Sequence, residues 1–414
     1  MTQEFERYIK NKDDFSPTEK KARRESLKSF IEMGFPNKKL EDWKFTDFNQ
    51  IISKNFKKLK INESIKKTNK VNLVKDFEHN YILLVNGFLN SYSFEFENSK
   101  KVKIQKYSQN LKKEIIAKNS LVKLNDALHD GGYFLEVSSD YKFKKPIIIY
   151  NHFEGNIKDN VINNKNLILL NDNTDLNLLE YNTDTSKSNY IQNNFTDIIL
   201  GKDSSFKNYT VQGNKSKGFF YKFIKGTLNK NSNYEDYIFS SGLKFNKTEE
   251  EIDINGEEGN CKIQSGLFLD KDDHQEIKTK INHLKPNSKS FQKVKNVLND
   301  NCKSAYQGKI LVKDIAQKTD AYQLSKALLI KDSSEFNAKP ELEIYADDVK
   351  CSHGSTSGSI NEDSIYYLMT RGIPRKIAIS LLSKAFLFEI SDSIKNVEIK
   401  KFIEKNLNKQ IYGY

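Results

Sequence analysis

Towards the C-terminus a thiol and an imidazole fall two residues apart, in the run Glu341-Leu342-Glu343-Ile344-Tyr345-Ala346-Asp347-Asp348-Val349-Lys350-Cys351-Ser352-His353-Gly354. In extended backbone, residues i and i+2 project from the same side. Cys351 and His353 would then offer one soft sulfur and one ring nitrogen to a common surface, a donor pair that suits iron, zinc or an iron–sulfur cluster. Two ligands do not close a four-coordinate site, so further donors must come from elsewhere, a second chain included. The same spacing also fits a structural thiol beside a hydrogen-bonded histidine, and the residues alone leave both readings open.

Other candidates carry less. Asp272, Asp273 and His274 read as a solvated turn, and His283, before Leu284-Lys285-Pro286, as a packing histidine. Cys261 and Cys302 read as small buried thiols whose roles the sequence does not reveal. Three cysteines without a CxxC pair are not a disulfide framework. With no signal-peptide pattern in MTQEFERYIK and no apolar run near the roughly 18 residues of a membrane span, the expectation is a cytoplasmic chain in a reducing compartment, with no membrane contact. There is no GxxxxGK[ST] loop, no GxGxxG after a strand, and no HExxH or GxSxG. Nothing pairs a nucleophile with a base, so no catalytic residue is assigned and a non-enzyme is expected.

The elements that must position the Cys-His pair can be read outward from it. Asn361 can cap a helix through Ile365-Tyr366-Tyr367-Leu368-Met369, which Gly372 stops. Pro374 opens the next helix, with Ile377, Leu381, Leu382, Ala385, Phe386 and Phe388, and a last basic helix spans about Val397 to Leu407. Upstream, from about 133 to 345, short apolar runs such as Leu167 to Leu170, Leu176 to Leu179 and Ile310 to Val312 alternate with Asn, Asp, Ser, Lys and Gly. An antiparallel sandwich and a parallel β-helix both fit. The scarcity of two-residue hairpin turns and polar ladders such as Asn163-Asn164-Lys165-Asn166 favour the β-helix.

Residues 81–132 form a mixed segment, with a strand and turn at Tyr81 to Gly87 and a short helix from Leu121 to Leu128. Residues 1–80 read as helical: Ser16-Pro17-Thr18-Glu19 is a capping box, Gly34 and Pro36 end the helix, and Trp43 beside Phe45 and Phe48 marks a small core. Apolar residues are only 37% and charged ones 29%, as a narrow solenoid core would give. The net charge of +12 is densest around Lys54, Lys57, Lys58, Lys60, Lys66, Lys67 and Lys70. Without arginine and with Phe56 as its single aromatic, that stretch reads as a solvated face and not as a nucleic-acid site. A basic binding module and a polysaccharide-active β-helix enzyme remain as alternatives.

Several blocks, in order, resemble the SufB/SufD family of iron–sulfur cluster assembly scaffolds, in its SufD form. They are Glu41 to Thr46, Tyr306-Gln307-Gly308-Lys309-Ile310, Ala316 to Gln323, Pro340 to Gly354, and Tyr367-Leu368-Met369-Thr370-Arg371-Gly372-Ile373. The resemblance implies a mainly β fold: a right-handed parallel β-helix (133–345) flanked by N-terminal (1–80) and C-terminal (346–414) α-helical domains. It implies a complex with SufB, paired through the β-helices, and with two copies of the ATPase SufC, bound through the C-terminal helical domains. Exposed solenoid edges also allow an isolated chain to form a homodimer. By the same resemblance Cys351 and His353 lie at the SufB interface, as shared ligands of a transient cluster that the isolated chain does not hold tightly. His353 is the better ligand candidate of the two, and Tyr366, Tyr367, Leu368 and Arg371 become candidates for the SufC contact.

Overall fold

The structure, a computed structural model, describes residues 2–13, 15–62, 71–108 and 119–412. Its repeat is set by the corners. Asp140, Asn173, Asp203, Asn231, Glu258, Asn287 and Lys318 all hold positive φ, one at the same corner of each successive coil. Asn and Asp tolerate this left-handed conformation better than other non-glycine residues, and they also bond from coil to coil. Asn173 donates to Asp140 and Asn231 to Asp203, each at 2.8 Å.

Between corners the chain is extended, and strands pair with those one coil away. Along one track run β1 (Lys60–Ile61), β4 (Val102–Lys106), β5 (Tyr133–Val137), β7 (Asn160–Leu170), β9 (Tyr190–Leu200), β11 (Ser216–Leu228), β13 (Leu243–Ile254), β15 (His274–His283), β17 (Lys303–Val312) and β19 (Glu335–Ile344). Along the other run β2 (Asn80–Val85), β3 (Phe88–Ser93), β6 (Ile147–Phe153), β8 (Asp175–Asp184), β10 (Ser205–Gln212), β12 (Asn233–Ser241), β14 (Asn260–Leu269), β16 (Lys289–Leu298), β18 (Asp320–Leu329) and β20 (Lys350–Ser359). Every pairing from β5 to β20 along the two tracks is parallel, and the antiparallel pairs β2–β3 and β4–β5 close the N-terminal end. The result is a mainly β chain: a β-solenoid of about eight turns with helices at both ends.

The interior is narrow and only partly apolar. Leu176, Phe206, Tyr234 and Ile263 pack between the sheets with Ile149, Ile198 and Ile252. Polar ladders fill other rungs: Asn193 donates to Asn163 at 2.9 Å, and Asn166 to Asn194 at 2.8 Å. These bonds satisfy buried amides that would otherwise be costly, and they explain a low apolar content in a well-packed chain.

Both outer faces carry helices. α1 (Thr2–Asn11), α2 (Pro17–Met33), α3 (Phe48–Asn55) and α4 (Ser120–Leu128) cover Val161, Ile191, Phe195, Phe219 and Tyr221 of the first sheet. Ser16 caps α2 by accepting from the Glu19 amide, and Gly34 ends it with φ +69°. After α5 (Glu362–Thr370), α6 (Arg375–Ser391) and α7 (Val397–Tyr412) fold back on the second sheet. Ile399, Phe402, Ile403 and Leu407 there bury against Tyr209, Tyr237 and Phe239, each large apolar side chain contributing roughly 1.5–3 kcal/mol.

The solenoid reaches further in both directions than the expected 133–345. β2 already pairs in parallel with β6, and the last rung ends at Ser359. The lysine-rich stretch from Lys54 falls partly outside the described residues, which omit Lys66, Lys67 and Lys70; of the rest, Lys58 pairs with Glu4 at 2.9 Å. The expected solvated turn at 272–274 is solvated only at Asp272. Asp273 is buried, and His274 lies 2.9 Å from Thr46 Oγ1 and 3.0 Å from Glu276, because the N-terminal region docks there.

Candidate functional site

Little in Lys350–Ser359 favours a strand by itself, since it is mostly Ser, Gly and Thr. It is extended because β18 templates it, in the register Ala321↔Cys351 and Gln323↔His353. Cys351 thereby continues an interior column through Tyr234, Cys261, Ser290 and Ala321. Gln323, the neighbour of His353, is fully buried. Cys351 and His353 thus share one side of the strand, as their spacing predicts, and that side is the solenoid interior opened at its end.

Among the described residues, no strand follows β19 or β20 in either sheet. Cys351 is half-buried, packing with Leu342, Val349 and the buried Ala316, Ala321 and Ala346. His353 is exposed and has no hydrogen-bond or ion-pair partner among the described residues. Burial pushes the Cys351 thiol up, and the Asp320 charge adds to this, so in the lone chain the sulfur is held as a thiol and not as the thiolate a metal needs. Among the described residues no group of three or more His, Cys, Asp or Glu side chains is arranged to hold a metal ion. The pair is an incomplete donor set.

The surroundings fit a contact surface. β19 carries Pro340, whose missing amide hydrogen suits an edge strand, and β20 presents small side chains beside an open ladder edge. Gly308 supports the rung beneath: a Cβ there would collide with Gln323 Oε1 and the Tyr306 hydroxyl. Cys261 and Cys302 stand apart. Both are buried, with thiols pushed up by burial and by nearby carboxylates, that of Cys302 to about 12.

Just past the last rung, α5 turns Ile365 inward and leaves Tyr366 and Tyr367 70% and 59% exposed. Arg371 lies over the Tyr367 ring at 5.4 Å. Leu368 is half-buried beside Ile365 and Ala378, on the packing side of the helix.

One constellation escaped sequence reasoning. Lys247 is fully buried beneath Trp43, its Nζ 4.5 Å from the ring, 2.7 Å from Glu276 and 2.8 Å from the Asp42 carbonyl oxygen. Thr46 donates to Glu276, Lys278 pairs with Asp42 at 2.7 Å, and Gln307 donates to the Glu41 carbonyl at 3.0 Å. The block Glu41 to Thr46 is therefore the clamp of the N-terminal region on the solenoid. The available signal was the Glu41 to Thr46 block as part of the family resemblance.

Residues 153–386 match the family described as SUF system FeS cluster assembly, SufBD core domain, and residues 3–149 match the SufBD protein N-terminal region. The chain belongs to the SufBD family. The SufBD core match takes in the coils from Phe153 through β20, α5 and most of α6, so Cys351, His353 and the exposed tyrosines all lie within it. The iron-sulfur cluster assembly protein SufD of Escherichia coli is 33% identical over 160 residues, 39% of this chain and 38% of that one. An iron-sulfur cluster assembly SufBD family protein of Synechocystis is 31% identical over 210 residues, 50% of this chain and 45% of the other. SufD of Bacillus subtilis is 24% identical over 302 residues, 72% and 68% of the two chains. The matched stretches span less than half the length of the Escherichia coli and Synechocystis proteins. No helix among the described residues is long and apolar enough to cross a membrane.

Proposed function

We propose that this SufBD chain is a SufD-type scaffold subunit of the cytoplasm, without catalysis of its own, that completes a cluster-assembly pocket together with SufB. The observation that carries the reading is the uncovered terminal coil with Cys351 and His353 on its opened interior face. A second solenoid docking on that edge would extend the ladder through backbone hydrogen bonds, as strand addition does elsewhere. It would also bring its own donors to a thiol and an imidazole that do not close a site alone. The nascent cluster is cargo in this scheme, transiently held and shielded from water by the joint.

In this reading His353 supplies the coordinating nitrogen. Cys351 joins only when a cation approaching its sulfur offsets burial and the Asp320 charge and releases the thiol proton. The SufC ATPase contacts the exposed α5 surface of Tyr366, Tyr367 and Arg371, with Leu368 holding that surface from behind. Nucleotide hydrolysis belongs to SufC.

The test is co-expression with SufB and SufC followed by anaerobic cluster reconstitution, read by the visible charge-transfer absorption. His353→Ala should leave the complex intact and lower cluster yield tenfold or more, and Cys351→Ser should lower it less. Full cluster yield in the His353→Ala complex, or failure of the parent chain to capture SufB and SufC, overturns the proposal.

A further inference from the structure

Away from the terminal coil, four successive corners build a basic cavity of about 550 Å³. Lys187 comes from the β8–β9 corner, Lys215 from β10–β11 and Lys271 from β14–β15, with Lys217 and Lys244 at the starts of β11 and β13. None of the five ammonium groups, all carried on exposed side chains, has an ion-pair partner among the described residues. Ser241 also lines the cavity. It is 2% exposed and its hydroxyl has no hydrogen-bond partner among the described residues, a state it shares with other buried hydroxyls of this chain such as those of Ser240 and Ser265. Gln410 of α7 closes one side. Two carboxylates face the lysines, Asp270 and Asp273; burial pushes Asp273 up to about 7, so the acidic side is weaker than its formal count.

We infer that this cavity binds a small molecule carrying two or more phosphates, held by the five lysines with the Ser241 hydroxyl as a fixed donor. The volume is that of a single-ligand pocket. Lysines act here as point charges on phosphate oxygens. The absence of arginine and of exposed aromatic rings among the lining residues disfavours a nucleic-acid strand, which would seek stacking platforms. The inference is independent of the scaffold reading.

The experiment titrates the purified full chain calorimetrically with inorganic tripolyphosphate and, separately, with ADP, at about 150 mM salt. Saturable one-to-one binding is expected, at least tenfold weaker in Lys215→Ala/Lys244→Ala and a few-fold weaker in Ser241→Ala. The Tm should not change, and Lys38→Ala/Lys39→Ala should bind like the parent. Tighter binding of ADP than of tripolyphosphate supports a nucleotide ligand; equal binding supports recognition of the phosphate chain alone. No saturable binding of either probe, undiminished affinity in the double-lysine variant, or stronger binding of duplex DNA at the same lysines overturns the inference.

Discussion

Replacing Lys247 by methionine keeps the aliphatic stem under Trp43 and deletes one buried charge. Glu276 would then remain as a carboxylate with a side chain 2% exposed and without its 2.7 Å partner. Burial alone would push this carboxyl up; the Lys247 charge and the His274 hydrogen bond outweigh it and hold it at about 2, against an ordinary 4.5. At about 1.4 kcal/mol per unit, that depression corresponds to about 3.5 kcal/mol of folding stability at neutral pH. It agrees with the roughly 3–5 kcal/mol lost when one member of a buried pair is removed. Lys247→Met should therefore cost about 3 kcal/mol or more. Trp43, the only tryptophan of the chain, is the natural probe, since urea unfolding of the clamp will report in its fluorescence. A lowered folded-state carboxyl stabilises above its unfolded pKa, and the benefit fades as pH falls from about 4.5 towards about 2. In the variant the carboxyl rises instead, so the gap between variant and parent should narrow as the pH drops from 7 to 4.5. Glu276→Gln in the same background should restore part of the loss, with a coupling energy above about 1 kcal/mol in the double-mutant cycle. A cost under about 1 kcal/mol for Lys247→Met, or zero coupling, would refute the clamp as drawn.

Other outcomes follow from the same geometry. Tyr366→Ala/Tyr367→Ala removes side chains that are mostly exposed, so the Tm should hold within a degree or two while capture of SufC in a pull-down drops at least tenfold; a lowered Tm with normal capture assigns the tyrosines to packing. In the native chain at pH 7.5 an aromatic disulfide reagent should modify Cys351 alone and slowly, with Cys261 and Cys302 reacting only after unfolding. Asp320→Asn removes a charge that raises the Cys351 thiol, so modification of Cys351 should quicken, and an unchanged rate would show that burial alone sets its reactivity.

Much of this architecture was written in local chemistry. The N-caps at Ser16 and Asn361, the Leu121–Leu128 helix and the stop at Gly372 act within a few residues and are legible one at a time. The solenoid was legible as a class, through apolar runs and Asn-rich turns. Its limits were not, because β20 owes its extended form to the strand beneath it and not to its own Ser, Gly and Thr residues. The Cys351–His353 pairing on one side followed from spacing, whereas the opened interior face required knowing that no coil covers it. The lysines were the least legible. Lys165, Lys222 and Lys247 look like surface charge in a basic composition, yet each is matched to a carboxylate at 2.5 to 2.7 Å by strands or helices distant in sequence. Charge counts do not distinguish these from the unpaired five around Ser241.

The two ends of the solenoid differ in a way that limits stoichiometry. Short antiparallel strands, one pair with a register shift, blunt the N-terminal end. At the other, two ten-residue parallel edges lie bare. Polymerisation requires adhesion at both ends of the monomer, and among the described residues only the C-terminal end offers long open edges. In the proposed docking, joining two such solenoids would occupy the open terminal coil of each, and growth would halt at a pair, whether the second member is a copy of the chain or a different one.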